Sequence, residues 1–205
     1  MRTAGLLLAA GAGRRMGGPK ALRRNADGVS WAAERAAALA LGGCRPVVVV
    51  LGAAAEAAAA TLPAELAGPD GGPVPVTVVT AQDWAEGMAA SLRAGLRHLT
   101  SLTASSPDLG PQACLVGLVD TPDVGAAVVA RMLENACTTT VLARAAYRGR
   151  PGHPVLLGRD HWDGVIAGAQ GDAGARGYLA GHEVRLVECG DVGDDRDLDV
   201  PQSLG

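Results

Sequence analysis

The chain has 205 residues, of which 48% are hydrophobic and 2% aromatic, and its formal net charge is −3. This size fits one domain, predicted over residues 1–205, whose core is built from Ala, Val and Leu. The acidic balance argues against a nucleic-acid-binding surface, and no apolar run reaches the roughly 18 residues of a membrane span. We therefore expect a cytoplasmic protein without a nucleic-acid or membrane partner.

The four cysteines lie far apart and form no C-x-x-C pair. This spacing favours reduced thiols in or near the core over a zinc site. The short N-terminal apolar run is followed by glycines and arginines, which predicts a buried first strand rather than a signal peptide.

Short apolar runs alternate with alanine-rich stretches along the chain. RPVVVVLG (45–52) is apolar almost throughout, which predicts a strand covered on both faces, and Ser30 is a predicted helix N-cap. In chain order we predict strand 3–10, helix 30–41, strand 45–52, helix 53–62, loop 68–75, strand 76–80, amphipathic helix 86–99, strand 113–119, helix 125–136 and strand 138–144. HPVLLG (153–158), GDAGARGYLAG (171–181) and EVRLVEC (183–189) follow.

This alternation is typical of an α/β fold with a mainly parallel sheet. Ligands of such sheets bind outside the carboxyl ends of the strands. Two loops fall at such ends: the glycine-rich loop after the first strand and the DTPD segment that begins at Asp120. We therefore expect these loops, which are distant in sequence, to meet over one site.

The glycine-rich stretch LLLAAGAGRRMGGPKAL (6–22) narrowly misses two phosphate-binding patterns. A dinucleotide fingerprint, G-x-G-x-x-G, that begins at Gly11 and Gly13 requires its third glycine at position 16. This chain has Met16 there and a glycine only at position 17, and no acidic residue ends the following strand. In a P-loop, G-x-x-x-x-G-K-[ST], Pro19 intrudes before Lys20, and Ala21 replaces the hydroxyl that holds magnesium. The loop therefore fits neither pattern.

The loop nevertheless has the parts of an anion site. Glycines let backbone N–H groups approach an anion closely, and Arg15 and Lys20 add positive charge. The alternative, a flexible turn with solvated basic side chains, is disfavoured by the position of the loop directly after the first strand. We predict that it binds phosphate.

The same stretch resembles the L-A-[AG]-G-x-[SG]-x-R-M-G-x-x-K-x-L signature of the nucleotidyltransferases that act on the molybdenum cofactor. Further segments are similar to motifs of that family, in the same order along nearly the whole chain. They are DWAEGMAASLRAGL (83–96), LVDTPDV (118–124), YRGRPGHPVLL (147–157), GDAGARGYL (171–179) and DRDLDVPQSL (195–204). The RPGHP and GDAGAR segments are those of the cytidylyltransferase branch, which makes molybdopterin cytosine dinucleotide.

The resemblance implies a three-layer, Rossmann-like nucleotidyltransferase fold with a mainly parallel, mixed sheet. It implies Mg²⁺-dependent transfer of CMP from CTP to the terminal phosphate of molybdopterin, with release of pyrophosphate. The implied catalytic residues are Arg15, Lys20 and Asp120, and the implied metal ligands are Asp120 and Asp197. The implied nucleotide-binding residues are Leu8, Ala9, Ala10, Gly11, Ala12, Gly13, Gly87 and Ser91. The implied substrate-binding residues are Arg150, Gly152, His153, Asp172 and Arg176.

The chemistry of these residues agrees with this function. Phosphoryl transfer needs positioning and charge neutralisation, which Arg15 and Lys20 would supply to the leaving pyrophosphate. The nucleophile is a phosphate monoester whose second pKa is about 6, so no general base is required. Asp120 offers the oxygen ligands that Mg²⁺ prefers, although a turn or N-cap role before Pro122 is an alternative.

Several assignments leave alternatives open. His153 is either a substrate ligand or a structural residue of a turn. Asp172 and Arg176 either pair with each other, or Arg176 faces the substrate. Most acidic residues of the tail form a solvated face, and Asp197 is the one chosen as second metal ligand by its position in the family pattern. Trp84 and Met88 are either core or site residues.

Three other functions compete with the cytidylyltransferase. The first is a guanylyltransferase, or a nucleotidyltransferase for another phosphorylated small molecule; Ala10 stands where the guanylyl branch typically has glycine. The second is a catalytically silent protein that binds nucleotide or cofactor and hands the cofactor to a molybdoenzyme or its chaperone. The third, a nicotinamide-dependent enzyme, is disfavoured by the late third glycine.

Overall fold

The apolar runs of the sequence form the strands of one mixed sheet. The computed structural model describes residues 1–105, 110–194 and 196, and within these ranges the sheet has eight strands in the order β3-β4-β2-β1-β5-β7-β6-β8. They are β1 (Thr3–Leu8), β2 (Val47–Leu51), β3 (Glu65–Ala67), β4 (Pro73–Thr80), β5 (Ala113–Leu118), β6 (Leu142–Tyr147), β7 (Arg150–Gly158) and β8 (Arg185–Glu188).

Most strands run in one direction. β4, β2, β1 and β5 are mutually parallel neighbours. β3 and β7 are antiparallel to their neighbours, and β6 and β8 again run with β5. The carboxyl ends of six strands and the amino end of β7 therefore lie at one edge of the sheet. The predicted mainly parallel, mixed sheet is confirmed.

Helices cover both faces of the sheet. They are α1 (Trp31–Leu41), α2 (Ala55–Ala59), α3 (Met88–Ser105), α4 (Ala126–Leu133), α5 (Trp162–Gly168) and α6 (Arg176–Ala180). Leu7 of β1 packs in a core cluster with α1 and α4, for example Val128. Its neighbour Leu6 points the other way, into a cluster with Leu96 of α3 and Trp162 of α5. Alternate residues of the buried strands thus serve opposite faces, which gives the three predicted layers.

Helix ends depend on local capping. The Ser30 hydroxyl accepts the N–H of Ala33 at 3.1 Å, so the predicted N-cap of α1 is confirmed. α3 begins at Met88 rather than at residue 86, because Gly87 has a φ of +113°. It continues past residue 99 to Ser105, and Thr103 donates its hydroxyl hydrogen to the Leu99 carbonyl within this last part.

Five other elements differ from the prediction. The predicted loop 68–75 contains the first residues of β4, several of which are exposed. β3 was not predicted, because it is a strand of three residues at the edge of the sheet and buries none of its side chains fully. The predicted helix 53–62 is reduced to α2. The strand predicted at 138–144 begins only at Leu142, after threonines whose hydroxyls bond locally. The glycine-containing helix α5 was missed, since it depends on the buried Trp162.

The cysteines carry no disulfide: Cys44, Cys114 and Cys189 are buried, and Cys137 is exposed. Burial raises the pKa of the Cys44 and Cys114 thiols well above the ordinary value. These two side chains are therefore neutral core residues. Among the described helices, none is both long and apolar enough to cross a bilayer.

Candidate active site

A cavity of about 370 Å³ opens at the carboxyl edge of the sheet, between the loops after β1 and β5 and the start of α3. Its wall consists of Leu8, Ala10, Gly11, Ala12, Gly13, Arg14, Lys20, Trp84, Ala85, Gly87, Met88, Ser91, Leu118, Val119, Asp120 and Asp172. This set includes all the predicted nucleotide-binding residues except Ala9, whose side chain lies in the core behind the wall. Segments distant in sequence thus form one concave site.

The glycine-rich loop folds tightly on itself beside this cavity. The Gly13 carbonyl accepts the N–H groups of Met16 at 2.8 Å and of Gly18 at 3.2 Å. Gly13 has a φ of +57°, and a Cβ there would lie only 2.0 Å from the Gly18 carbonyl oxygen. Arg23 donates to the Met16 carbonyl and so ties the loop to the turn that carries Lys20. Position 13 therefore requires glycine for both its conformation and its space.

Lys20 and Asp120 meet across the cavity wall. Lys20 Nζ lies 2.5 Å from Asp120 Oδ2, and the two side chains are 14% and 15% exposed. The two loops expected to meet at this edge therefore do meet, through opposite charges. Asp120 is not the N-cap of the following helix, because that position belongs to Gly125.

The entry to α3 forms the opposite wall. A Cβ on Gly52 would lie 2.5 Å from Cβ and Cγ of Trp84 and 2.8 Å from Cβ of Ala10, so Trp84 packs closely over the end of β2 beside Ala10. Arg93 donates to the carboxylates of Asp83 and Glu86, each at 2.9 Å. The hydrogen bond from Arg93 lowers the pKa of Asp83. These contacts fix the WAEG turn on α3.

Asp172 lies on this same wall, next to the WAEG turn. A Cβ on Gly87 would lie 2.5 Å from Asp172 Oδ1 and 2.7 Å from the Gly171 carbonyl oxygen, so the two segments are in close contact. Within the described residues Asp172 forms no ion pair with Arg176, which is exposed at the start of α6. The Asp172–Arg176 pair is therefore not observed among these residues, and a substrate-facing Arg176 stays a prediction.

The other predicted substrate-binding residues lie at the amino end of β7, on the same edge of the sheet but outside this cavity. Arg150 lines a second cavity of about 110 Å³ with Tyr147, Arg148, Gly190, Gly193 and Asp194. The Gly152 carbonyl accepts from Arg144 Nε at 3.2 Å, and the His153 carbonyl accepts from the Tyr147 hydroxyl at 2.7 Å. The structure thus separates Asp172 from Arg150, Gly152 and His153, a division that the motifs alone do not indicate.

The turn between β6 and β7 is held by Glu188. Its carboxylate accepts the backbone N–H groups of Arg148 at 2.9 Å, Gly149 at 3.0 Å and Gly190 at 2.9 Å. The bonds from Gly149, Arg148 and Gly190 lower the pKa of Glu188. The ionised carboxylate of Glu188 therefore holds the β6–β7 hairpin, which carries Arg150.

We expect Glu188→Gln to lower the melting temperature at neutral pH, because the amide cannot accept all three bonds. Since the pKa of Glu188 is lower in the folded state, its stabilising effect is complete above the ordinary glutamate pKa of about 4.3 and is lost as the pH falls through the folded-state value. Melting curves from pH 7 into the acid range should show the difference between wild type and variant shrinking. A difference that is independent of pH would contradict this role of the charge.

Arg15 lies in the 3₁₀ turn Arg14–Met16 after β1, and Asp197 lies outside the described residues. In the described ranges no group of three or more His, Cys, Asp or Glu side chains is arranged to hold a metal. A divalent cation at Asp120 would therefore need further oxygen ligands from the substrate, as is common for Mg²⁺.

Comparison with known proteins gives the family. The model of the MobA-like NTP transferase domain matches residues 5–186. Nicotine blue oxidoreductase from Paenarthrobacter nicotinovorans is 33% identical over 210 residues, which cover 98% of this chain and 93% of that protein.

Solved structures agree with the fold. The crystal structure of Rv0371c from Mycobacterium tuberculosis H37Rv has a TM-score of 0.71 and 26% identity, covering 96% of this chain and 93% of that one. A manganese complex of Rv0371c has a TM-score of 0.63 and 25% identity, covering 92% and 88%. A nucleotidyl transferase from Methanothermobacter, at a TM-score of 0.66 and 22% identity over 91% and 87% of the two chains, shares the fold. The chain therefore belongs to the MobA-like NTP transferase family, as its resemblance to the molybdenum cofactor nucleotidyltransferases predicted, and is a nucleotidyltransferase.

Proposed function

We propose that the protein transfers CMP from CTP to the terminal phosphate of molybdopterin and releases pyrophosphate. The observation that carries this proposal is the convergence of the glycine-rich loop, Lys20 and Asp120 on one cavity, with Lys20 Nζ 2.5 Å from Asp120 Oδ2. A cation beside a carboxylate, next to a glycine-rich loop that a phosphate can approach closely, suits a triphosphate with a bound metal.

In the proposed reaction, an oxygen of the acceptor phosphate attacks the α-phosphorus of CTP. A new P–O bond forms, the bond between the α-phosphorus and its bridging oxygen breaks, and pyrophosphate leaves with that oxygen. Lys20 and Arg15 bind the departing phosphates and neutralise the charge that develops on them. The acceptor is already largely a dianion at neutral pH, so no side chain has to remove a proton.

Asp120 fits the Mg²⁺ ion that this function requires. Its Oδ2 pairs with Lys20, whereas its Oδ1 makes no hydrogen bond within the described residues, so that oxygen is available to a cation. Asp120, Asp197 and phosphate oxygens would hold the ion, which neutralises charge on the triphosphate when bound. The manganese in the Rv0371c complex supports a divalent metal in a similar fold.

The nucleoside is proposed to bind against Leu8, the Ala10–Gly13 segment, Gly87 and Ser91. The acceptor is proposed to lie toward the β6–β7 hairpin, where Arg150, Gly152 and His153 share the edge of the sheet with Asp120. The exposed side chain of Arg176 would approach the anionic end of the acceptor. The product would pass to a molybdoenzyme or its chaperone in the cytoplasm, where thiols remain reduced.

The test is a panel of CTP, GTP, ATP and UTP with molybdopterin and Mg²⁺, read out as released pyrophosphate. We expect the highest rate with CTP. A preference for GTP would instead identify a guanylyltransferase. CTP binding without turnover would support a silent carrier protein, and the absence of both binding and turnover would contradict the proposal.

A second candidate rests on the relative named nicotine blue oxidoreductase, which is 33% identical over 98% of the chain. A nicotinamide-dependent enzyme should bind NADH or NADPH in a calorimetric titration. We expect no binding, because the third glycine of the fingerprint is one position late and no acidic residue ends the next strand. Binding of NADH in preference to CTP would favour the oxidoreductase.

A further inference from the structure

A buried arginine lies behind the Lys20–Asp120 pair. Arg35 of α1 is 8% exposed. Its Nη1 donates to the carbonyl oxygens of Pro122 at 2.5 Å, Val124 at 3.2 Å and Thr121 at 3.4 Å. All three carbonyls belong to the loop that directly follows Asp120, so one guanidinium holds most of that loop.

The same guanidinium is connected to the loop that follows Lys20. Arg35 Nη2 donates to Glu34 Oε1 at 2.6 Å, and Asn25 Nδ2 donates to Glu34 Oε2 at 3.3 Å. The Asn25 side chain also accepts the backbone N–H groups of Asp27 at 3.1 Å and Val29 at 3.0 Å. Asn25, Glu34 and Arg35 thus join the two loops whose charged side chains meet in the cavity.

Arginine suits this arrangement because its two terminal nitrogens are used separately, Nη1 toward the three carbonyls and Nη2 toward Glu34. The planar guanidinium carries five N–H donors in a fixed fork, whereas a lysine ammonium is a single point of charge on a flexible stem. A lysine at position 35 can therefore replace the charge but not all the bonds. Carbonyls left without a donor in this buried place would favour a shift of the loop.

We propose that Arg35 is a positioning residue that sets the Asp120 carboxylate against Lys20 and toward a metal-bound triphosphate. The inference rests on the proposed nucleotidyl transfer for its consequence in turnover. Its consequence in binding can be measured without turnover, which keeps the two proposals separable. Arg35 lines a small cavity of about 10 Å³ together with Thr121 and Val124 of the Asp120 loop and does not line the active-site cavity, so it acts through the loop.

The experiment compares wild type with Arg35→Lys, and uses Arg45→Lys as a matched control. Arg45 also bonds a backbone carbonyl and a carboxylate, Pro73 at 2.8 Å and Asp70 at 3.5 Å, but it precedes β2 at the opposite edge of the sheet. Mn²⁺ is titrated into each protein with CTP, or with GTP if the nucleotide panel selects it, and bound Mn²⁺ is followed by electron paramagnetic resonance. Melting temperature and Mg²⁺ dependence of the rate are measured in parallel.

We expect Arg35→Lys to weaken Mn²⁺–nucleotide binding by about 10- to 100-fold, the usual effect of losing a residue that orients a metal ligand. The Mg²⁺ concentration at half-maximal rate should rise, and excess Mg²⁺ should restore part of the rate, while Arg45→Lys behaves as wild type. A purely structural role would lower the melting temperature and the folded fraction but leave the metal dependence of the folded protein unchanged. That result would overturn the inference.

If Arg35→Lys does not fold, Glu34→Gln provides the test. It keeps the guanidinium and its three carbonyls but removes the ionic partner at 2.6 Å, so a smaller shift of the metal dependence in the same direction is expected. An unchanged metal dependence in Glu34→Gln would then overturn the inference. A wild type that binds Mn²⁺ with the nucleotide but releases no pyrophosphate would refute the proposed reaction and still allow the binding comparison.

Discussion

Replacement of Asp120 by alanine is expected to lower the rate of pyrophosphate release on the order of 100- to 1,000-fold, the range for losing one preorganised electrostatic contact to a reacting phosphate. The variant loses the proposed metal ligand and also leaves Lys20 without the carboxylate that lies 2.5 Å from its Nζ. Initial rates with the nucleotide selected by the panel measure the effect. A variant that remains active would refute the assignment of Asp120 to the metal.

Two companion variants separate charge from folding. Asp120→Asn keeps the size of the side chain but removes its charge, so it should lose nearly as much activity as the alanine variant. Asp70→Asn removes a carboxylate that is remote from the site, where it pairs with Arg45 at 3.5 Å outside the cavity. We expect its rate to stay close to wild type. Melting temperatures of all three variants show whether a lower rate reflects a lower folded fraction.

The fold could be predicted from the sequence for strands that are buried along their whole length. β1, β2 and β5 are apolar runs covered on both faces, and their positions follow from the sequence with small changes at the ends. β3 and α5 could not be predicted, because one is a three-residue outer strand and the other contains two glycines. Each exists through tertiary contacts: β3 pairs with β4, and the indole of Trp162 donates to the Leu157 carbonyl at 3.1 Å within the core.

The site could be predicted to a similar extent. The meeting of Lys20 and Asp120 follows from the rule that loops at the carboxyl ends of parallel strands lie together. The contact of Asp172 with Gly87 and the bonds of Arg35 to the Asp120 loop depend on how helices and loops pack against the sheet. Sequence spacing carries no information on such contacts.

Replacement of Gly13 by alanine tests the glycine-rich loop. The φ of +57° costs an L-residue roughly 1–2 kcal/mol, and the new Cβ would lie 2.0 Å from the Gly18 carbonyl oxygen. Because this oxygen belongs to the backbone, the loop has to open before the methyl group fits. We expect a lower melting temperature and a loss of nucleotide affinity of more than about tenfold, which corresponds to roughly 1.4 kcal/mol.

Gly17→Ala is the control that divides this effect into its two causes. Gly17 has a φ of +77°, but nothing lies within 4 Å of a Cβ at that position. This variant therefore carries the backbone strain without the collision, and Gly17 does not line the cavity. Calorimetric titration with the selected nucleotide should show a much larger loss of affinity for Gly13→Ala than for Gly17→Ala. Equal losses would mean that loop strain alone sets the affinity, and that the close approach of Gly13 to Gly18 does not shape the phosphate site.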